Sequence, residues 1–156
     1  GPGETVIARD ILRLPWQRLI SIDAFGPYVE QIRMKSSGAK QHDIHHLRVE
    51  NPFPLLEGVD VDLVLLIDVL EHLARWDALK LLCRIEKKAR RGVVLFSPTG
   101  QVRQGALDGN SFQMHRSFWE ADDWLRLGYD VEVYEKFHGH LDPPETAAWA
   151  IKAFTS

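Results

Sequence analysis

The chain has 156 residues, of which 45% are hydrophobic and 26% charged, values that suit one globular domain with a buried core. Its formal net charge of -3 provides no basic field for a phosphate backbone, so we expect no nucleic-acid partner. A single cysteine and the absence of a long apolar run exclude an internal disulfide and a membrane span, and together they predict a cytoplasmic protein.

Helical and strand patterns alternate along the chain. Helical spacing covers residues 4–14, 27–35, 76–89 and 119–127, and strand-like runs cover residues 18–23, 40–44, 61–68, 93–96, 131–134 and 146–154. The run 61–68 is apolar without alternation, which is typical of a strand in a parallel sheet, and Pro98 is expected to end the run 93–96. This order predicts an α/β fold, with a Rossmann-like, doubly wound, mostly parallel sheet and helices on both faces.

Two groups of side chains are expected in the core. The helix predicted at 76–89 has an apolar face, which consists of Leu79, Leu82, Cys83 and Ile85. Cys83 therefore fits a packed thiol better than a nucleophile. Trp119 and Trp124 fit core packing better than a stacking platform for a ligand.

Polar residues follow several predicted strands, where ligands bind in open α/β sheets. Gly1 and Gly3 precede a predicted helix, so backbone N–H groups there suit an anionic group, although a simple loop or a tag remnant is the alternative. Asp23 follows a strand 20 residues after Gly3 and suits ribose hydroxyls. Val6 occupies the place of the third glycine in the dinucleotide fingerprint, which argues against a nicotinamide cofactor.

The segment from Asp68 to Leu73 has the most specific pattern. An acid ends a buried strand, and Glu71 and His72 follow before the next helix begins. Helix capping by Asp68 or His72 is the alternative, but three polar groups at one strand end favour a loop that faces a ligand.

Several segments together resemble class I S-adenosylmethionine-dependent methyltransferases. Residues 62–73, Asp-Leu-Val-Leu-Leu-Ile-Asp-Val-Leu-Glu-His-Leu, resemble the fourth-strand motif of that family. Gly1-Pro2-Gly3, Ile20–Asp23 and His42-Asp43-Ile44 are similar to its first, second and third motifs. The segments Ser97–Gly100 with Gln104, and Asn110 with His115-x-Ser117-x-Trp119, resemble the signature of one subgroup.

The resemblance implies S-adenosylmethionine as cofactor and a methyl acceptor that is a small molecule, with a sugar-related one suggested by the subgroup. The residues that it assigns to the cofactor are Gly1, Gly3, Asp23, Ala24, Asp43, Ile44, Asp68, Val69 and His72. The family's central first strand would precede Gly1, so residues 1–156 are expected to form a single methyltransferase-like domain that is incomplete at its N-terminus.

Histidines are the candidates for a general base, because their pKa lies near neutrality. We favour His115 through the signature, with His72 as the other choice. No metal site is expected, since the spacings of the histidines do not match a zinc pattern; those considered are His42, His45, His46, His138 and His140. A non-catalytic, partner-binding domain and an NAD-dependent oxidoreductase are the alternative functions.

Overall fold

The computed structural model describes residues 15–35, 42–48, 51–107, 109–138 and 145–155. The chain divides into two compact units, Gly1–Pro54 and Leu55–Ser156. Gly1, Gly3 and the helix predicted at 4–14 lie outside the described residues.

The first unit contains a pair of parallel strands and one helix. Strand β1 (Leu19–Asp23) pairs with β2 (His42–His46), and helix α1 (Gly26–Lys35) lies between them in the chain. Because Asp23 is opposite His46, both strands end at the same edge. The carbonyl of Phe25 accepts the N–H groups of Tyr28 and Val29, so the helix begins at Gly26, one residue before the predicted start at Pro27.

The second unit contains a four-stranded sheet in the order β3-β4-β6-β5. Its elements are β3 (Val61–Ile67), α2 (Arg75–Lys88), β4 (Ala89–Thr99), α3 (Ala121–Arg126), β5 (Asp130–His138) and β6 (Glu145–Ala153). Strand β4 is parallel to β3, whereas β6 is antiparallel to both β4 and β5. The α/β class is confirmed, but the described strands are only partly parallel. Strands β5 and β6 are too close in the chain for the crossover that a parallel pair requires.

The core of the second unit lies between α2 and β4. The buried residues of α2 are Ala78, Leu81, Leu82 and Ile85, at the spacing of one helix face. The expectation of a packed Cys83 thiol is wrong. The buried face of α2 runs from Ala78 to Ile85, and Cys83 lies outside this face and is exposed. Consecutive helical residues point about 100° apart, so Cys83 lies beyond the edge of a stripe that includes Leu82.

Trp119 and Trp124 are buried in the second unit, as predicted. Both side chains are fully buried, and their rings stack with centroids 4.3 Å apart. The Arg75 guanidinium lies 4.3 Å from the Trp119 ring centroid. Helix α3 begins after Trp119, at Ala121, because Glu120 and Asp123 form a capping box there.

Strand β4 does not end at Pro98, as the sequence had indicated, but continues to Thr99. The carbonyl of Phe96 accepts the Asp68 N–H on the side of β3, and backbone groups alternate in direction along a strand. The nitrogen of Pro98 therefore faces the same side, past the end of β3 at Ile67. The missing N–H removes no bond to β6, so proline is tolerated there.

No helix within the described ranges combines the length and the apolar character needed to cross a membrane.

We predict that Leu82→Ala lowers the free energy of unfolding by about 2–5 kcal/mol, because it leaves a cavity between α2 and the sheet. Leu82 is 2% exposed, whereas Leu125 on α3 is 54% exposed and provides a matched control. Chemical denaturation of both variants measures the difference. Equal losses for Leu82→Ala and Leu125→Ala would contradict the packing described for α2.

Candidate functional site

Asp23 ends β1 in the first unit, where the sequence predicted a ligand-binding acid. Its Oδ1 accepts the N–H of Phe25 at 2.7 Å, which closes a tight turn after the strand. Burial raises the pKa of the Asp23 carboxyl, and the bond from Phe25 partly offsets this effect. The neighbouring Ala24 carbonyl lies 3.1 Å from Nε2 of His46.

Asp43 and Ile44 were expected at the carboxyl end of a strand, and that position is wrong. They lie in the middle of β2, which continues to His46. Asp43 is opposite Ile20, and its carboxylate pairs with Arg18 at 2.8 Å. The structure therefore places His46, and not Asp43, beside Asp23. The reason is that the parallel pairing with β1 continues through His45 and His46, which extends β2 beyond Ile44.

Asp68 directly follows β3 in the second unit and has an unusual backbone. Its φ of 50° is in the left-handed region, which residues other than glycine rarely adopt. The turn is fixed by the Asp68 N–H, which donates to the carbonyl of Phe96 at 2.9 Å. Burial raises the pKa of the Asp68 carboxyl to about 6. Strained backbone of this kind is common at functional sites.

Glu71 lies in the 3₁₀ turn Leu70–His72 and is 2% exposed. Ser97, on β4, donates its hydroxyl to Oε2 of Glu71 at 3.1 Å. Burial raises the pKa of the Glu71 carboxyl to about 8, and the nearby Asp68 contributes in the same direction. The main-chain oxygen of Glu71 accepts the N–H groups of Arg116 at 2.7 Å and Ser117 at 3.1 Å. Glu71 therefore connects the sheet to the loop that carries His115.

His72 and His115 lie side by side, with ring centroids 5.1 Å apart. Nδ1 of His72 lies 3.3 Å from the carbonyl of Met114, and Nδ1 of His115 lies 2.7 Å from that of Val102. A carbonyl only accepts, so Nδ1 carries the proton in both rings and Nε2 keeps its lone pair. Burial lowers the pKa of His72 to about 4, so its ring is neutral near pH 7.

The remaining residues of the downstream signature hold the loop in place. The buried Asn110 accepts the N–H of Phe112 at 2.9 Å, and Gln104 donates to the carbonyl of Gln113 at 2.7 Å. Ser117 donates its hydroxyl to the carbonyl of Leu70 at 3.1 Å and accepts the indole N–H of Trp119 at 2.9 Å. These polar groups fix the position of His115 relative to the 3₁₀ turn.

The structure thus brings together the predicted residues His72 and His115 within the second unit, and Asp68 is near enough to Glu71 to raise its pKa. It also reveals a relationship that the sequence reasoning missed, because one potential ligand atom from each of Glu71, His72 and His115 lies within 4.8 Å of the others. The chain separation between His72 and His115 gave no indication of this proximity. Asp23 belongs to the first unit and Asp68 to the second, so the assignment of both residues to one cofactor stays a prediction.

Several solved structures of methyltransferases are similar to this chain. The small RNA methyltransferase HEN1 aligns with 97% of this chain and 22% of its own, at 15% identity and a TM-score of 0.61. A complex of DhpI with SAM and HEP aligns with 94% of this chain and 73% of its own, at 13% identity and a TM-score of 0.61. An O-methyltransferase family protein from Burkholderia thailandensis aligns with 96% of this chain and 56% of its own, at 13% identity and a TM-score of 0.52.

No protein-family model and no curated protein matches the sequence. At such low identities, the likeness to these structures establishes the fold of the chain. The chain spans about a fifth of HEN1 and about three quarters of DhpI.

We predict that the protein loses stability as the pH rises from 6.5 to 8, because folded Glu71 keeps a proton that the unfolded chain releases. Between pH 4.5 and 6.5 this loss is reinforced by Asp68, whose pKa is raised to about 6, and opposed by His72, whose lowered pKa makes the folded state bind fewer protons than the unfolded one. Above pH 6.5 the Glu71 effect is the largest of the three, up to about 1.4 kcal/mol per pH unit.

Denaturation of chelator-treated protein at several pH values measures this slope. Glu71→Gln is expected to abolish the fall between pH 6.5 and 8, since an amide does not titrate there. Glu57→Gln, the same change at an exposed position, is the control and should keep the fall. A wild-type stability that is constant over this range would contradict the protonated state of Glu71.

Proposed function

We propose that the protein is an S-adenosylmethionine-dependent methyltransferase with a Rossmann-like, doubly wound sheet. The observation that carries this proposal is the cluster of Glu71, His72 and His115, which follows Asp68 at the carboxyl end of β3, in a fold similar to solved methyltransferases. Ligands of open α/β sheets bind at this edge. The complex of DhpI with SAM supports the choice of cofactor.

The cofactor residues follow from the sequence motifs. Asp23, which lies at a strand end with its carboxylate oriented by the Phe25 N–H, is proposed to bind the ribose hydroxyls. Ala24 would lie beside it. In the second unit, the residues that the resemblance assigns to the cofactor are Asp68, Val69 and His72. By resemblance, Gly1, Gly3, Asp43 and Ile44 remain proposed contacts of the cofactor. The carboxylate of Asp43 is already paired with Arg18, so Asp23 is the stronger candidate for a test by mutation.

When bound, S-adenosylmethionine would supply an electrophilic methyl group to an electron pair of the acceptor atom and would leave as S-adenosylhomocysteine, with the electron pair of the broken carbon–sulfur bond on sulfur. The cofactor supplies the reactive carbon, so the protein's main contribution is alignment. Where the acceptor loses a proton, Nε2 of His115 or His72 is the candidate to receive it, because both rings donate through Nδ1.

We propose a small molecule as acceptor, with attack by oxygen, nitrogen or carbon, because the net charge of -3 is unfavourable for binding a polyanion. RNA is the competing acceptor class, since HEN1 is described as a small RNA methyltransferase. A non-catalytic binding domain and an NAD-dependent oxidoreductase are the alternative functions that the experiments must distinguish.

Thermal unfolding in the presence of S-adenosylmethionine, S-adenosylhomocysteine or NAD tests the cofactor. We expect the two adenosyl sulfur compounds to raise Tm and NAD to leave it unchanged, because only a ligand of the folded state stabilises it. Asp23→Ala should weaken cofactor binding roughly 10-fold to 100-fold, the value of hydrogen bonds to a charged group.

Asp60→Ala, which removes a carboxylate from an exposed site, is the control and should bind like wild type. A Tm that rises with NAD alone would overturn the cofactor assignment in favour of an oxidoreductase. Wild-type affinity in Asp23→Ala would remove Asp23 from the site.

Transfer of a labelled methyl group from S-adenosylmethionine to a metabolite extract or to small RNA tests the acceptor class. We expect label in the small-molecule fraction and none in RNA. Label that enters RNA alone would contradict the small-molecule proposal, and binding of the cofactor without transfer to either would favour the non-catalytic alternative.

A further inference from the structure

We propose that Glu71, His72 and His115 bind a divalent transition-metal ion. Each contributes one ligand atom, and these three atoms lie within 4.8 Å of one another. Oε1 of Glu71 is 3.7 Å from Nε2 of His72. A tetrahedral ion with bonds of about 2.1 Å keeps its ligand atoms about 3.4 Å apart, so this pair needs to close by only a few tenths of an ångström.

The hydrogen bonds around the two histidines are those of metal ligands. A histidine that binds a metal through one ring nitrogen donates the other N–H to a carbonyl or carboxylate, which fixes the tautomer and the ring orientation. His72 does so to Met114 and His115 to Val102. In both rings the lone pair of Nε2 is thereby left for an ion. The two carbonyls belong to the loop segments that Gln104 and Asn110 hold in place.

Glu71 has the corresponding support. Ser97 donates to Oε2 and so leaves Oε1 toward His72. Among the described residues, no lysine or arginine is paired with the Glu71 carboxylate, and the neighbouring His72 contributes a neutral ring. A buried carboxylate without a cationic partner is unfavourable, and a divalent ion would neutralise it.

The ligand set identifies the class of metal. Two imidazoles and one carboxylate suit zinc, iron, cobalt or nickel, whereas magnesium and calcium prefer sites built from oxygen alone. Three protein ligands leave at least one coordination position open, as in catalytic sites. If the methyltransferase function holds, on which this last step rests, an acceptor oxygen at that position would be acidified by the ion. His72 and His115 would then act on the acceptor through the metal, and not as a base.

Titration of the chelator-treated protein with Co²⁺, followed by its visible absorption and by competition with Zn²⁺, tests the site without any need for activity. We expect one ion per chain and a much weaker response to Mg²⁺. His115→Asn and His72→Asn keep an N–H close to the position of Nδ1 but remove Nε2. Each should weaken binding by at least the roughly 10–100-fold that loss of an outer partner costs.

Glu71→Gln should have a similar effect, because the amide can still accept the Ser97 hydroxyl but is a poor ligand. His45→Asn, on β2 of the first unit, is the matched control and should bind Co²⁺ like wild type. Absence of stoichiometric binding in the wild type, or binding that survives both His72→Asn and His115→Asn, would overturn the proposal.

The outcomes separate this inference from the proposed function. Stabilisation by S-adenosylmethionine without cobalt binding would refute the metal site alone. Cobalt binding that depends on the three ligands, without any response to S-adenosylmethionine, would refute the methyltransferase function alone. If both ligands bind, methyl transfer that requires the ion would place it at the acceptor, and transfer that persists fully in chelator would exclude that role.

Discussion

The burial of Glu71 is the constraint on which the geometry of the second unit's site depends. Its carboxyl group accepts a hydroxyl from β4, while its main-chain oxygen accepts two N–H groups from the loop at Arg116 and Ser117. One residue therefore fixes the distance between the sheet edge and that loop. Because the carboxyl is withdrawn from water, its charge must be neutralised by a proton or by a cation. A cation would also bind His72 and His115, whereas a proton would leave both rings without a ligand.

The same constraint explains why His72 and His115 meet. His72 follows Glu71 directly, and His115 precedes the residues whose N–H groups bind Glu71. Their rings are therefore brought to a centroid distance of 5.1 Å by main-chain bonds, without any bond between them. A site whose side chains are positioned through the backbone is insensitive to rotation of exposed side chains, which is an advantage where ligand atoms must be held accurately.

The sequence predicted the elements well where local patterns decide them. Periodicity and chain order identified the strand from Val61, the helix near Trp76 and the acids at the carboxyl ends of β1 and β3. The predictions from sequence were wrong where contacts between distant segments decide the structure. The direction of β6 and the continuation of β4 through Pro98 depend on which strand lies alongside, and the exposure of Cys83 depends on which side of α2 meets the sheet. The proximity of His115 to Glu71 likewise depends on loop bonds that no local pattern encodes.

The downstream signature contains two kinds of polar residue, which their bonds distinguish. Asn110, Gln104 and Ser117 use side-chain atoms in bonds to neighbouring segments, so they maintain the shape of the loop. His115 and His72 donate through one ring nitrogen and keep a lone pair on the other. A side chain that is bonded within the fold is less available to a ligand, whereas an imidazole that is fixed through one nitrogen keeps the other for binding. His115 is therefore the residue of the downstream signature best placed to bind a ligand, together with His72 from the fourth-strand motif. The proton, metal or acceptor that these two imidazoles bind beside Glu71 determines the chemistry of the protein.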